Sequence, residues 1–105
     1  MSTAATVTVR VELPQHLRTL ARVGTEVAVA VAVPATIGGV VGALEERHPV
    51  LRGAIRDHGT LKRRPFVRFY VCRQDWSLEP WERELPPAIT DGGAPFLVIG
   101  AVAGG

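Results

Sequence analysis

The sequence predicts an α+β domain, a mixed sheet with one main helix packed across it. Three observations predict it. "ATVTVRVEL" (5–13) and "EVAVAVAV" (26–33) alternate apolar with polar or small residues, the period of a half-buried strand. "ATIGGVVGALEERHP" (35–49) then switches to helical spacing. "LKRRPFVRFYVC" (61–72) and "PFLVIGAV" (95–102) return to strand patterning after it.

In the first strand Val7, Val9, Val11 and Leu13 share one face, and Thr6, Thr8, Arg10 and Glu12 the other. Pro14 closes it. "QHLRTLARVG" (15–24) reads as a connection with a short helical turn before Gly24, so the first two strands form a hairpin with an elaborated turn. Pro34 ends the second strand. Thr36 is placed to cap a helix whose Ile37, Val40, Val41 and Leu44 fall on one face and which Pro49 stops. Gly38, Gly39 and Gly42 weaken that helix by about 1 kcal/mol each relative to alanine, which implies a close neighbour, expected to be the sheet. "VLRGAIRD" (50–57) reads as a second short helix ended by His58 and Gly59. In the third strand Val67, Phe69 and Val71 oppose Phe66, Arg68, Tyr70 and Cys72. Residues 73–93, with three prolines and both tryptophans, read as loop with room for one short strand or turn.

The order is strand, strand, helix, strand, long crossover, strand. It describes a β-grasp (ubiquitin-like) roll. A ferredoxin-like sandwich fits less well, because it calls for a helix between the first two strands. The whole chain, 1–105, is read as one domain with a flexible C-terminal tail at about 101–105.

Apolar content of 47% and charged content of 21% are those of an ordinary globular domain. A net charge of +2, spread along the chain, is too weak to imply nucleic acid. Cys72 is the single cysteine, so no internal disulfide and no paired-cysteine metal site can form. The N-terminal "MSTAATVTVR" lacks the pattern of a secretory signal, and the apolar run at 27–33 is too short to span a bilayer. The expected location is the cytoplasm.

No catalytic constellation emerges. His16, His48 and His58 stand on separate connections or helix ends, without carboxylate or cysteine at ligand spacing, so no metal is expected. "TIGGVVG" lacks the ending of a phosphate loop. The chain reads as a non-enzyme that binds no cofactor. The basic stretch with Arg63 and Arg64, together with Phe66, Arg68 and Tyr70, combines arginine with exposed aromatics, as docking surfaces do.

The last residues, Gly104 and Gly105, are the most telling feature. A diglycine can lie extended where any Cβ would clash, so it can thread a narrow tunnel and present its carboxylate to another protein's active site. There ATP can adenylate it, turning a poor electrophile into an activated acyl group.

These features resemble the MoaD/ThiS sulfur-carrier proteins, bacterial relatives of ubiquitin. The resemblance runs through the first strand ending in "LP", then "LRTLA" (17–21), "PATIGGVVGALEERHPVLRGAI" (34–55), "RPFVRFYV" (64–71), "TDGG" (90–93) and "GAVAGG" (100–105). It covers nearly the whole chain, with the diglycine as its specific motif. The chain departs from the family pattern in "VCRQDW" (71–76), in its Trp- and Pro-rich crossover, and in Gly100 where a proline is usual.

The resemblance implies a carrier, used as a cosubstrate, whose Gly105 carboxylate is adenylated by an E1-like enzyme that uses ATP and is converted to a thiocarboxylate. Its implied partners are that enzyme, a sulfurtransferase or desulfurase as sulfur donor, and a sulfur-accepting biosynthetic enzyme, met by a monomer that forms heteromeric complexes. Two alternatives stand beside it: a ubiquitin-like modifier joined through Gly105 to lysines, and a non-catalytic β-grasp interaction module.

Overall fold

The computed structural model describes residues 5–100. Strand β1 (Thr6–Glu12) buries Val9 and Val11 and turns Thr6 and Thr8 outward, as the alternation requires. Helix α1 (Gln15–Ala21) occupies the connection, burying Leu17, and Arg22 ends it in the left-handed conformation. Strand β2 (Glu26–Ala32) returns antiparallel beside β1, with every residue in register from Thr6 opposite Ala32 to Glu12 opposite Glu26. A two-turn helix therefore stands where a single turn was expected. It belongs to a hairpin connection and makes no crossover, so pairing, not the presence of a helix, separates this fold from a ferredoxin-like one.

Helix α2 (Ile37–Arg47) begins as anticipated: the Thr36 hydroxyl accepts the Gly39 N–H at 3.0 Å. Ile37, Val40, Val41 and Leu44 form its buried face. Only Gly39 meets the sheet, where an added Cβ would stand 3.0 Å from Val31 Cγ1. Gly38 lies against the crossover instead, where a Cβ would come within 3.3 Å of the carbonyl oxygen and Cβ of Trp81.

The second helix expected at 50–57 is absent. A 3-10 turn at Pro49–Leu51 is followed by Arg52 in an extended conformation and Gly53 at φ +83°, which end any helical path. Leu51 and Ile55 still reach the core. Strand β3 (Val67–Val71) is shorter than the alternation from residue 61 suggested, because Leu61 is left-handed and Pro65 offers no N–H. Its inward residues are Val67, Phe69 and Val71, as expected.

Cys72 and Arg73, both at positive φ, form a two-residue turn into β4 (Gln74–Asp75). This is the hairpin geometry that matches strand twist. A short helical turn, α3 (Pro87–Thr90), buries Ile89, and β5 (Phe96–Gly100) completes the sheet. The strand order is β2-β1-β5-β3-β4, with β5 parallel to β1 and antiparallel to β3. Among the described residues, no helix is long and apolar enough to cross a membrane.

The core lies between α2 and one face of this sheet, closed at one end by the crossover. Phe69 is its hub: its ring packs on Phe96 (5.5 Å between centroids) and meets Trp81 edge-on (5.8 Å). Trp76 is also buried and carries the Arg83 guanidinium 3.9 Å over its ring. The tryptophans thus cover the end of the core.

Candidate functional site

Central strand β5 leads to the tail. Gly104 and Gly105, the acyl terminus expected from the sequence, lie outside the described residues, as does the tail of 101–105. What the structure provides is their point of departure. Gly100 is opposite Val67 at the end of β5, which pairs with β3 along its length and with β1 only at Phe96 and Leu97. The β1–α1 corner packs over it. A Cβ on Gly100 would collide with the His16 ring and stand 3.3 Å from Pro14 Cγ. The absence of a side chain at Gly100 is thus what lets the His16 ring sit against the strand end. His16, placed by the sequence only on a connection and outside any metal-ligand pattern, gains this contact. A sequence has no signal for it, because the corner and the strand end are more than 80 residues apart.

The outer face of the sheet flanks this exit. Arg68 on β3 is opposite Ile99 on β5, and Tyr70 is opposite Leu97. With Phe66, these form a band of aromatic, aliphatic and cationic side chains: Phe66 is 48% exposed and Ile99 43%. Arg68 is not free within it, since its guanidinium meets Asp75 at 3.0 Å. The Asp75 carboxyl is held below the usual carboxylate range by the Ser77 hydroxyl, the Ser77 N–H and Arg68.

The structure does not bring Arg63 and Arg64 onto that band. Arg63 donates to the carbonyls of Ser77, Arg64 and Val67. Arg64 donates to Gly53 O at 2.7 Å and lies 3.6 Å from Asp57. Both hold loops together, and Asp57 in turn accepts from Thr60 and Gly59, which keep its carboxyl below the usual range. The basic run seen in the sequence is therefore divided: its arginines are consumed as internal donors, while Lys62 is exposed.

No group of three or more potential metal ligands occurs among the described residues. Cys72 is exposed at the tip of the β3–β4 turn. What this arrangement offers is a partly exposed sheet face of aromatic, aliphatic and cationic side chains beside the end of β5.

No protein-family model matches the chain, and no curated protein matches its sequence. Solved structures do. Small archaeal modifier protein 1 from Haloferax volcanii superimposes with a TM-score of 0.74 at 18% identity, covering 93% of this chain and 99% of that one. The chain has the ubiquitin-like β-grasp fold. The solution structure of small archaeal modifier protein 1 from Methanosarcina acetivorans matches this β-grasp chain with a TM-score of 0.71 at 20% identity, over 96% and 99% of the two chains. A chain of the Amycolatopsis orientalis BexX/CysO complex matches with a TM-score of 0.70 at 26% identity, over 92% and 99%. These neighbours are consistent with the MoaD/ThiS-type resemblance drawn from the residues. What they share with this chain is the β-grasp fold over nearly its whole length.

Proposed function

We propose that this β-grasp domain is a sulfur-carrier protein that works through its terminal carboxylate. In this reading an E1-like enzyme uses ATP to adenylate Gly105, releasing pyrophosphate. A persulfide on a sulfurtransferase or desulfurase then attacks the adenylate and displaces AMP. A thiol cleaves the resulting acyl disulfide, leaving a thiocarboxylate and a disulfide, and a biosynthetic enzyme accepts the sulfur. The observation that carries the reading is the Gly104 and Gly105 terminus in the sequence of a chain with this fold. Five residues follow Gly100 in the sequence, and a fully extended five-residue segment spans at most about 18 Å, enough to place the carboxylate inside a partner while the folded domain stays outside. The band of Phe66, Arg68, Tyr70 and Ile99 beside the exit supplies the docking surface, with arginine and aromatic groups suited to holding it.

A second reading, conjugation of Gly105 to lysines, is favoured by two of the structural neighbours being small archaeal modifier proteins. It shares the adenylate and differs only in the nucleophile. The test is Gly105→Ala with the activating enzyme, ATP and a sulfur donor supplied. The carrier reading expects adenylation and sulfur transfer to be blocked or severely slowed, with the melting temperature unchanged. Transfer at the normal rate would contradict it, because a methyl group at the terminus would then be no obstacle to the tunnel.

A further inference from the structure

The two edges of the sheet are treated differently by the sequence. One edge is β4, only two residues long, polar, and tied back by a tight turn. The other is β2, seven residues without proline or bulge, carrying one charged residue, Glu26, at its start. Natural sheets guard an exposed edge with lysine, proline, bulges or shortness; β4 has that protection and β2 has none of it.

The backbone of β2 shows what is left unpaired. Leu13 N–H donates to Thr25 O, and Val33 N–H donates to Ala5 O, each at 3.1 Å. Odd-numbered residues therefore turn their peptide groups to β1, and those of Glu26, Ala28, Ala30 and Ala32 point off the open edge. Among the described residues no strand meets them. Alongside lies a recess lined by Val29, Ala30, Ala43, Glu46 and Arg47. Glu46 and Arg47 are exposed, and neither has an ion-pair partner among the described residues.

We propose that β2 is a homodimerisation edge, at which a second copy of this chain adds its own β2 antiparallel across a two-fold axis at Val29. Outward peptide groups must meet outward peptide groups, so even-numbered residues pair with even-numbered ones. Centred on Val29, all seven residues pair, Ala28 falls opposite Ala30 of the second copy, and Glu26 falls opposite Ala32, so no like charges face each other. Valines stay on the helix face and alanines on the outer face. The recess with Glu46 and Arg47 sits at the axis, so each copy's glutamate meets the other's arginine. A surface that complements itself in both register and charge suits an isologous dimer more than an unrelated peptide.

The resulting ten-stranded sheet leaves the end of β5 and the Phe66–Tyr70 band uncovered. The dimer therefore stands apart from the carrier reading, while revising the monomer expected from the sequence.

The test is sedimentation equilibrium of the full chain from micromolar to millimolar concentration, where a reversible monomer–dimer equilibrium is expected. Glu46→Arg and Arg47→Glu should each raise the dissociation constant about tenfold by placing like charges at the axis, and the double swap should restore it. Ala30→Pro removes an outward N–H that β1 does not use, and should abolish the dimer while the circular dichroism stays that of the wild type. If that variant does not fold, the charge reversals on exposed α2 positions decide the matter. A chain that is monomeric at every concentration would overturn the proposal. So would a dimer indifferent to both reversals, because it would use another face.

Discussion

In residues 5–48 the buried side chains are almost all valine, isoleucine and leucine on periodic elements, whereas residues 49–95 hold their shape largely through particular polar ties. Arg63 binds three backbone carbonyls, and the Ser77 hydroxyl accepts the Phe69 N–H at 2.9 Å. Asp57 gathers Gly59 and Thr60, and Arg56 pairs with Glu45 of α2 at 2.8 Å while lying 5.4 Å over the Trp81 ring. The first region rests on non-directional burial, which tolerates exchange of one aliphatic side chain for another. The second rests on donors and acceptors that lose much of their value when one partner is removed. A crossover of this length has no ladder to satisfy its backbone, so side chains must do it.

The largest expected effect falls where the two regions meet. Phe69→Ala removes the ring that joins β5 to the crossover tryptophan, and should cost about 3–5 kcal/mol in denaturant unfolding. A loss below about 1 kcal/mol would mean that the crossover packs independently of the sheet.

Next comes Arg63. Arg63→Met keeps the stem but strands three carbonyls, for an expected loss of about 2 kcal/mol, and Arg63→Lys should recover little, because an ammonium lacks the planar fork. Full rescue by lysine would reduce the tie to simple charge and blunt the contrast between the regions.

The smallest effect is the response to acid. Asp57, held by Thr60, and Asp75, held by Ser77, have folded pKa values depressed below the unfolded carboxylate value near 4. Their stabilisation is therefore present above about pH 4 and lost as pH falls through the folded values. Asp57→Asn combined with Asp75→Asn should flatten that acid loss of stability in the second region. Urea midpoints measured at falling pH check it, and an unchanged slope would show that other carboxylates carry the response.

The same contrast explains what was legible in the sequence. Both early strands, the Thr36 cap, the buried face of α2 and the inward residues of β3 follow from period and local hydrogen bonding, and each is where the pattern placed it. The stretch at 50–57 misled because its apolar spacing is real, with Leu51 and Ile55 buried, yet Gly53 turns the chain left-handed. The cluster around Arg63 and Arg64 looked like a free basic patch because composition cannot distinguish an arginine that binds carbonyls from one in solvent. Phe66, Arg68 and Tyr70 were placed on one face by alternation alone, but their continuation through Leu97 and Ile99 needed the β3–β5 register. The contact of His16 with Gly100 needed the parallel pairing of β1 with β5, which no local pattern encodes.

The most direct measurement of the central claim is the mass of the C-terminal peptide from protein isolated from its own cells, before and after treatment with an alkylating reagent. Sulfur in place of one oxygen gives nearly the same increment as oxidation of Cys72 or Met1, so the change must be localised to Gly105. The carrier account predicts an alkylatable thiocarboxylate on that residue. A terminus that remains a plain carboxylate, even when ATP and an activating enzyme are supplied, would contradict it.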